Sequence, residues 1–194
     1  QNGGSLAEVF FNDPYLSSPT TQTVAIDIND SGLITGWYIA SDKTQHSFVV
    51  DGMGKVTYIP DLSGAGNCGP VRISKANPTT GQVWVAGNCA GNRPFLYELS
   101  SGTLTELSAP GTSNLRVTAV NSQGAAVGAG LSVFLWPAGS TFSTVPTDLN
   151  ANPAFAPADA LNLRAIDFND AGTVLAGYND IAGTSYTFLL HPIP

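Results

Sequence analysis

Short apolar segments alternate with polar turns rich in Asn, Asp and Gly along most of the chain. The apolar segments end at a glycine or a proline after a few residues. Segments of this length, bounded by turn residues, indicate β-strands. The pattern therefore predicts an all-β protein with many tight turns.

The pattern also repeats four times. Each copy has an apolar strand, a turn that begins with Asn and ends with Gly, a second strand that ends at a glycine, and a third strand that contains Phe. The turns begin at Asn29, Asn77, Asn121 and Asn169, and the third strands contain Phe48, Phe95, Phe134 and Phe188. Asn and Gly suit hairpin turns because the Asn side chain bonds nearby backbone groups and Gly adopts positive φ at little cost. A fourth strand that ends in proline follows in three copies, at 56–60, 104–110 and 142–146.

Four four-stranded units that recur every 44 to 48 residues are typical of a four-bladed β-propeller. The blades are expected at about 22–62, 70–110, 115–149 and 162–194, within a single repeat domain of residues 1–194. The last copy ends without a fourth strand. Residues 5–14 have the same apolar-then-proline shape, so we expect this N-terminal strand to close the last blade.

Composition and charge exclude some classes of function. Seven Lys and Arg against 14 Asp and Glu give a net charge of −7, which disfavours nucleic acid as a partner. No apolar run approaches the roughly 20 residues that span a bilayer. The scarcity of lysine and the abundance of Asn, Gly, Ser and Thr favour a secreted or extracellular protein, the periplasm included. We expect a monomer.

The two cysteines, Cys68 and Cys89, can form one bridge or remain two thiols. Together with the distant His46 and His191 they have no customary zinc spacing. We expect a disulfide. The predicted propeller places one cysteine in the connector after the first blade and the other in the second blade, so the bridge is expected to fasten neighbouring blades.

The segment from Ala25 to Gly32, followed by Ile34-Thr35-Gly36 and His46-Ser47-Phe48-Val49, resembles the HAF family of bacterial extracellular repeats. The resemblance covers nearly the whole chain. Only the first copy keeps the family's His, as His46. The resemblance implies an extracellular repeat architecture and no particular chemistry.

Asp27 and Asp167 occupy the same repeat position, two residues before the turn Asn, where counting back from the Asn gives Lys75 and Ala119 in the other copies. First strands line the channel of a propeller. The two carboxylates could therefore hold calcium or another cation on the channel axis, since hard ions prefer oxygen ligands. The alternative is that each Asp bonds the adjacent turn or the neighbouring first strand.

Three aromatic residues follow the second-strand glycines: Trp37, Tyr38 and Tyr178. An exposed aromatic ring beside amide and carboxylate side chains suits a sugar, because the C–H face of the sugar packs on the ring. The alternative for all three is packing between blades. Trp84 and Trp136 lie inside apolar strands and are expected in the core.

No nucleophile motif is present, and His46 and His191 lie at different repeat positions, so a hydrolytic triad is not expected. The sequence favours a secreted, non-enzymatic module that presents loops to a glycan or an extracellular protein. The alternative is an enzyme, a hydrolase or lyase, that uses Asp27 and Asp167 at the channel mouth. A third possibility is a passive domain of a larger surface protein.

Overall fold

The computed structural model describes residues 22–151 and 161–191. Across these two ranges the protein is built from strands and turns, with one short 3-10 turn at Leu149–Ala151. The strands are β1 Gln22–Ile28, β2 Ile34–Ile39, β3 Gln45–Val50, β4 Val56–Ile59, β5 Gly69–Ile73, β6 Trp84–Cys89, β7 Arg93–Glu98, β8 Thr103–Glu106, β9 Arg116–Val120, β10 Ala126–Ala129, β11 Val133–Trp136, β12 Thr147–Asp148, β13 Leu161–Phe168, β14 Val174–Asn179 and β15 Ser185–Leu190.

The strands form four antiparallel sheets, each made of consecutive strands: sheet 1 (β1–β4), sheet 2 (β5–β8), sheet 3 (β9–β12) and sheet 4 (β13–β15). The prediction of an all-β protein is confirmed. The expected N-terminal strand at 5–14 and the chain end at 192–194 lie outside the described residues. Within the described ranges, no helix has the length and apolar character needed to cross a membrane.

The first strand of every sheet carries a β-bulge at the same place. The residue after the bulge pairs with the second strand, as Asp27 does with Thr35. The equivalent residues are Asp27, Arg72, Ala119 and Asp167. Arg72, and not Lys75, therefore corresponds to Asp27, and the alignment based on counting back from the turn Asn was wrong for the second copy. The two copies differ because the second has a longer loop. Its ladder ends at Ile73, and the turn residue Asn77 comes four residues later, whereas Asn29 directly follows the end of the ladder at Ile28.

A small residue of each second strand lies opposite the third-strand Phe. The pairs are Gly36 with Phe48, Gly87 with Phe95, Gly128 with Phe134 and Ala176 with Phe188. At Gly36, an added Cβ would lie 2.2 Å from the carbonyl oxygen of Val24 and 2.8 Å from the Phe48 ring. The glycine is needed here because the bulged first strand and the Phe ring both approach the backbone.

The hydrophobic core lies between successive sheets. One cluster joins sheets 1 and 2 around Val49 and Phe95, a second joins sheets 2 and 3 around Leu96 and Trp136, and a third joins sheets 3 and 4 around Val127. A fourth, smaller cluster of Tyr38, Phe48 and Val50 lies on the face of sheet 1 opposite to Val49, as strand alternation requires. Each sheet thus has its neighbours in sequence as its neighbours in space.

The fourth strand of the third copy is not where the sequence pattern placed it. Residues 142–146 form no strand, and β12 follows them instead. The segment turns because Thr144 N–H donates to the carbonyl of Thr141 over 3.0 Å, and Thr141 N–H donates to the Thr144 hydroxyl over 2.8 Å. This turn leaves Phe142 61% exposed.

Cys68 and Cys89 form the expected disulfide. Cys68 directly precedes β5 and Cys89 ends β6, and the neighbouring residues Gly69 and Asn88 pair across these strands. The bridge therefore closes the end of one hairpin within sheet 2. The expectation that it fastens neighbouring blades was wrong, because the connector residue lies in register with its own sheet.

Candidate functional site

The two ends of the first strands differ in chemistry. At the turn end, where the first strand of each sheet leads into the loop before the second, β5, β9 and β13 surround a cavity of about 460 Å³. Its charged lining is mixed and consists of Arg72, Lys75, Asp167 and Asp170. The other end of the first strands, named here the disulfide end, holds a second concave surface, described below.

The Asp27 carboxylate accepts hydrogen bonds from backbone N–H groups at the turn end. Its Oδ1 accepts a hydrogen bond of 3.0 Å from Ile28 N–H, and its Oδ2 accepts one of 3.0 Å from Ile73 N–H in the neighbouring sheet. Both carboxylate oxygens are therefore engaged. This is the contact with the neighbouring first strand that the structural alternative for Asp27 expected.

Asp167 has different surroundings. Its Oδ1 accepts a hydrogen bond of 2.9 Å from Phe168 N–H and lies 3.9 Å from Nε of Arg72. Asp167 lines the turn-end cavity, whereas Asp27 does not. No group of three or more His, Cys, Asp or Glu side chains within residues 22–151 and 161–191 is placed to hold a metal ion. The two predicted cation ligands thus make separate contacts, one with backbone and one with a guanidinium.

The disulfide end carries a groove of about 300 Å³, named here the Trp37 groove. Its side chains come from three sheets. The polar and aromatic ones are Trp37 and Gln45 of sheet 1, Asn67 and Asn88 of sheet 2 and its preceding connector, and Arg116 of sheet 3. Gly69 also lines the groove, and a Cβ added there would lie 2.5 Å from Nε2 of Gln45 and 3.8 Å from Cδ1 of Trp37.

Several polar groups of the Trp37 groove are already used. Asn88 Oδ1 accepts from Val117 N–H at 2.9 Å and Asn88 Nδ2 donates to Val117 O at 3.0 Å, which ties sheet 2 to sheet 3. Gln45 Nε2 donates to Cys68 O at 3.2 Å.

Other polar groups are free. Among the described residues, neither the indole N–H of Trp37 nor the guanidinium of Arg116 makes a hydrogen bond or ion pair, and only the carbonyl of the Asn67 amide has a partner, Gln45 N–H. The groove therefore presents an aromatic ring with three free sets of donors.

The other predicted aromatic ligands lie elsewhere. Tyr38 is 9% exposed, on the face of β2 opposite to Trp37, with its ring 5.4 Å from His46 and 5.7 Å from Tyr58. Tyr178 is half-buried and stacks on Tyr186 with ring centroids 4.9 Å apart. The structure therefore does not bring the three aromatic residues together.

The remaining two tryptophans differ in burial. Trp136 is fully buried, as expected, and its Nε1 donates to Ser108 O at 2.9 Å. Trp84 is half-buried, and its ring lies 2.5 Å from where a Cβ on Gly124 would be. The expectation of a core position is confirmed for Trp136, and Trp84 packs against the same core cluster while remaining half-buried.

One polar cluster was missed by the sequence analysis. His46 Nε2 lies 2.6 Å from the Thr44 hydroxyl, and His46 Nδ1 lies 3.1 Å from Oδ2 of Asp61. Burial raises the pKa of Asp61, and the neighbouring His46 opposes that rise. The Thr44 hydroxyl is also 2.6 Å from Asp42 Oδ1, so an acid lies at each end of the cluster.

Asp42, Thr44, His46 and Asp61 are named here the Thr44 cluster. They line neither the turn-end cavity nor the Trp37 groove. The search for serine or cysteine motifs could not find it, because Asp61 belongs to the connector after sheet 1 and approaches His46 only in the folded chain. The order Thr, His, Asp is the connectivity of a nucleophile, a base and an orienting acid. The hydrogen bonds of His46 with Thr44 and Asp61 hold the β2–β3 turn against the connector.

Two comparisons with known proteins complete the description of the site. A scan against protein-family models gives no match, and neither does a search of curated proteins.

Proposed function

We propose that this protein is a non-enzymatic module that binds a glycan in the Trp37 groove, outside the cell or in the periplasm. The observation that carries the proposal is the half-buried Trp37 ring, with a free indole N–H, beside free donors on Asn67 and Arg116. Sugar rings need this combination, because their C–H faces pack on aromatic rings and their hydroxyls need donors and acceptors. The Cys68–Cys89 disulfide is consistent with an oxidising compartment.

The scaffold in this proposal is a four-bladed propeller in which each sheet is one blade. Its support is the contact of first strands in chain order, β1 with β5, β5 with β9 and β9 with β13. The common bulge in each first strand and the Phe in each third strand fit four equivalent blades, and they fit kinship with the HAF repeats. The groove is then part of one end of the ring, where three blades meet.

Closure of the ring between sheets 4 and 1 is the remaining part of the proposed scaffold. Phe48 and Val50 are both 0% exposed, on the face of sheet 1 that does not meet sheet 2. Among the described residues, sheet 4 has three strands where the other sheets have four. In the proposed scaffold the N-terminal segment 5–14 takes the fourth place, beside β15. Deleting residues 1–14 is expected to lower the melting temperature and expose apolar surface to a hydrophobic dye, whereas an unchanged melting curve would contradict this closure.

The test of function is binding to carbohydrates. The purified protein is screened on an array of neutral and acidic glycans, and each hit is titrated by isothermal calorimetry. Trp37→Ala is expected to weaken binding about tenfold or more, since loss of about 1.4 kcal/mol of ring contact has this effect. Phe142→Ala is the matched control, because it removes an exposed aromatic ring outside the groove. Both variants should unfold like the parent protein.

Two results would contradict the proposed function. One is an array with no carbohydrate bound above background. The other is a bound glycan whose affinity is the same for Trp37→Ala and the parent protein, which would place the glycan elsewhere on the surface.

A further inference from the structure

The basic side chains of this acidic protein fall into two groups. Within the described residues, Arg72, Lys75 and Arg93 each lie within 4.0 Å of a carboxylate oxygen. The other four, Lys43, Lys55, Arg116 and Arg164, have no such partner in the described part of the chain. All four are exposed, in a protein with twice as many acidic as basic residues. The two lysines lie in turns of sheet 1, whereas the two arginines lie on first strands.

Arg116 and Arg164 occupy the same position of the repeat. Arg116 pairs with Ala129 in sheet 3, and Arg164 pairs with Gly177 in sheet 4. The strands that carry them, β9 and β13, are in contact. Arg116 and Arg164 therefore lie at equivalent positions of neighbouring first strands, at the disulfide end.

The partners in the second strands are small, which leaves room for the two long side chains. The Arg164 guanidinium lies over Gly177, since its Nε and Nη2 are each 3.5 Å from where a Cβ would be. A larger residue at Gly177 would push the guanidinium away. The Arg164 side chain thus lies along its own sheet.

The other two sheets have the opposite arrangement at this level. Val24 pairs with Trp37 in sheet 1, and Gly69 pairs with Asn88 in sheet 2. There the first strand is small or apolar and the second strand carries the large side chain. At this position of the repeat, sheets 1 and 2 therefore carry an aromatic and an amide side chain, and sheets 3 and 4 each carry an arginine.

Arg116 also lines the Trp37 groove, so this arginine belongs to the same surface as Trp37 and Asn88. Asn88 bonds both backbone groups of Val117 and so fixes the start of β9 against the groove. A ligand that stacks on Trp37 thus has a guanidinium at the far wall of the same groove.

We propose that the Trp37 groove binds an acidic glycan, with a uronic-acid carboxylate held by Arg116 and a sugar ring stacked on Trp37. This proposal rests on the proposed function and names its ligand class. A carboxylate fits the site because the planar guanidinium offers two parallel donors to its two oxygens. The turn end, with Asp167 and Asp170 in its cavity, does not offer an anion the same surroundings.

The experiment compares three probes by calorimetry at one salt concentration. They are an oligomer of galacturonic acid, the same oligomer as its methyl ester, and a sulfated galactose oligomer of equal length. The acid is expected to bind about tenfold more tightly than its ester, since a charge-assisted pair to arginine exceeds a neutral hydrogen bond. The sulfated oligomer should bind more weakly than the uronic acid. Affinity for the acid should fall as salt is added.

Variants identify the residues responsible. Arg116→Gln is expected to lower affinity for the acid about tenfold and affinity for the ester by less, since the ester lacks the charge that pairs with the guanidinium. Arg164→Gln changes the equivalent residue of sheet 4, outside the groove lining, and should change neither affinity. Arg116→Lys should restore part of the loss, since it returns the charge without the fork. Lys55→Gln is the control, because it removes one exposed positive charge in the β3–β4 turn. It should change neither affinity.

The outcomes separate this inference from the proposed function. If ester and acid bind equally and both need Trp37, the glycan function stands and the acidic class is overturned. Equal or tighter binding of the sulfated oligomer overturns the carboxylate assignment. Unchanged binding of the acid to Arg116→Gln overturns the site, and so does an equal loss of affinity in Arg164→Gln. If none of the three probes binds and the array also shows no glycan, both proposals fail together.

Discussion

Asp27 Oδ2 accepts a hydrogen bond of 3.0 Å from the backbone N–H of Ile73 and so joins sheet 1 to sheet 2. Asp167, at the same place of the repeat, is 56% exposed and lies 3.9 Å from Nε of Arg72. Two carboxylates in equivalent positions therefore have different roles. One is a structural link between sheets, and the other is a surface charge beside a cavity.

The first prediction compares these two positions. Asp27→Ala is expected to lower the free energy of unfolding by about 1–2 kcal/mol, because it leaves a backbone donor without its partner. Asp167→Ala should cost less than about 0.5 kcal/mol, as exposed ion pairs contribute little. Urea denaturation followed by tryptophan fluorescence measures both. Equal costs would contradict the separate roles and point to a site that the two carboxylates share.

The second prediction concerns Gly36. A Cβ here would meet the carbonyl oxygen of Val24 at 2.2 Å, so Gly36→Ala is expected to cost about 1–3 kcal/mol through a shift of the bulged strand. Gly52→Ala is the matched control, because nothing lies within 4 Å of its added Cβ. Thermal unfolding of the two variants should separate them clearly. Similar melting temperatures would show that β1 yields at the bulge without cost.

The third prediction concerns the bridge within sheet 2. Cys68 and Cys89 are 21 residues apart, and closing a loop of this size stabilises a protein by about 3 kcal/mol in the chain-entropy account. Replacing both cysteines with alanine is expected to cost about this amount in urea denaturation. Adding a reductant should destabilise the parent and leave the double variant unchanged. A parent that is insensitive to full reduction would contradict the prediction.

The fourth prediction concerns acid. Glu98 is 3% exposed, and its burial alone would raise the pKa of its carboxyl, but hydrogen bonds from Ser100 and Ser101 outweigh burial and hold that pKa at about 2. The ordinary value is 4.5, so the ionised carboxylate favours the folded state above pH 4.5. That stability is lost as the pH falls from 4.5 to about 2.

Glu98→Gln tests this dependence. The variant is expected to be less stable than the parent at neutral pH and to lose less stability on acidification below pH 4.5. Ser100→Ala removes a hydroxyl donor, which gives an intermediate result, because the backbone N–H groups of residue 100 and of Ser101 still donate to Glu98. Denaturation at several pH values gives both curves. A pH profile of Glu98→Gln that runs parallel to the parent would contradict the assignment to Glu98.

The repeat could be predicted from the sequence because its turns are local. Asn29 and Asn121 each accept hydrogen bonds through Oδ1 from backbone N–H groups two and four residues later. Such a turn leaves a fixed spacing between Asn and Gly. The second copy departed from this rule, since its ladder ends at Ile73 and the Ser74 hydroxyl accepts from Trp84 N–H at 2.9 Å. Counting back from Asn77 then selected Lys75 in place of Arg72.

The site could be predicted only in part. Trp37 was identified from its place after a second-strand glycine, but its partner Arg116 belongs to sheet 3 and carries no motif. Tyr38 directly follows Trp37, so strand alternation places its side chain on the opposite face of β2, away from the groove. Contacts between sheets depend on packing in the folded protein. A single sequence does not show how close two strands lie when they are far apart along the chain.

Sheets 1, 2 and 3 each use one uninterrupted stretch of the described chain, and this has a consequence for biosynthesis. Contacts between residues close in sequence form quickly, and domains built this way can fold from the N-terminal side as the chain is made. Both cysteines lie in the hairpin of sheet 2, so their oxidation needs neither sheet 3 nor sheet 4. A nascent chain that has been translated only to Glu106 already contains everything required to make its covalent link.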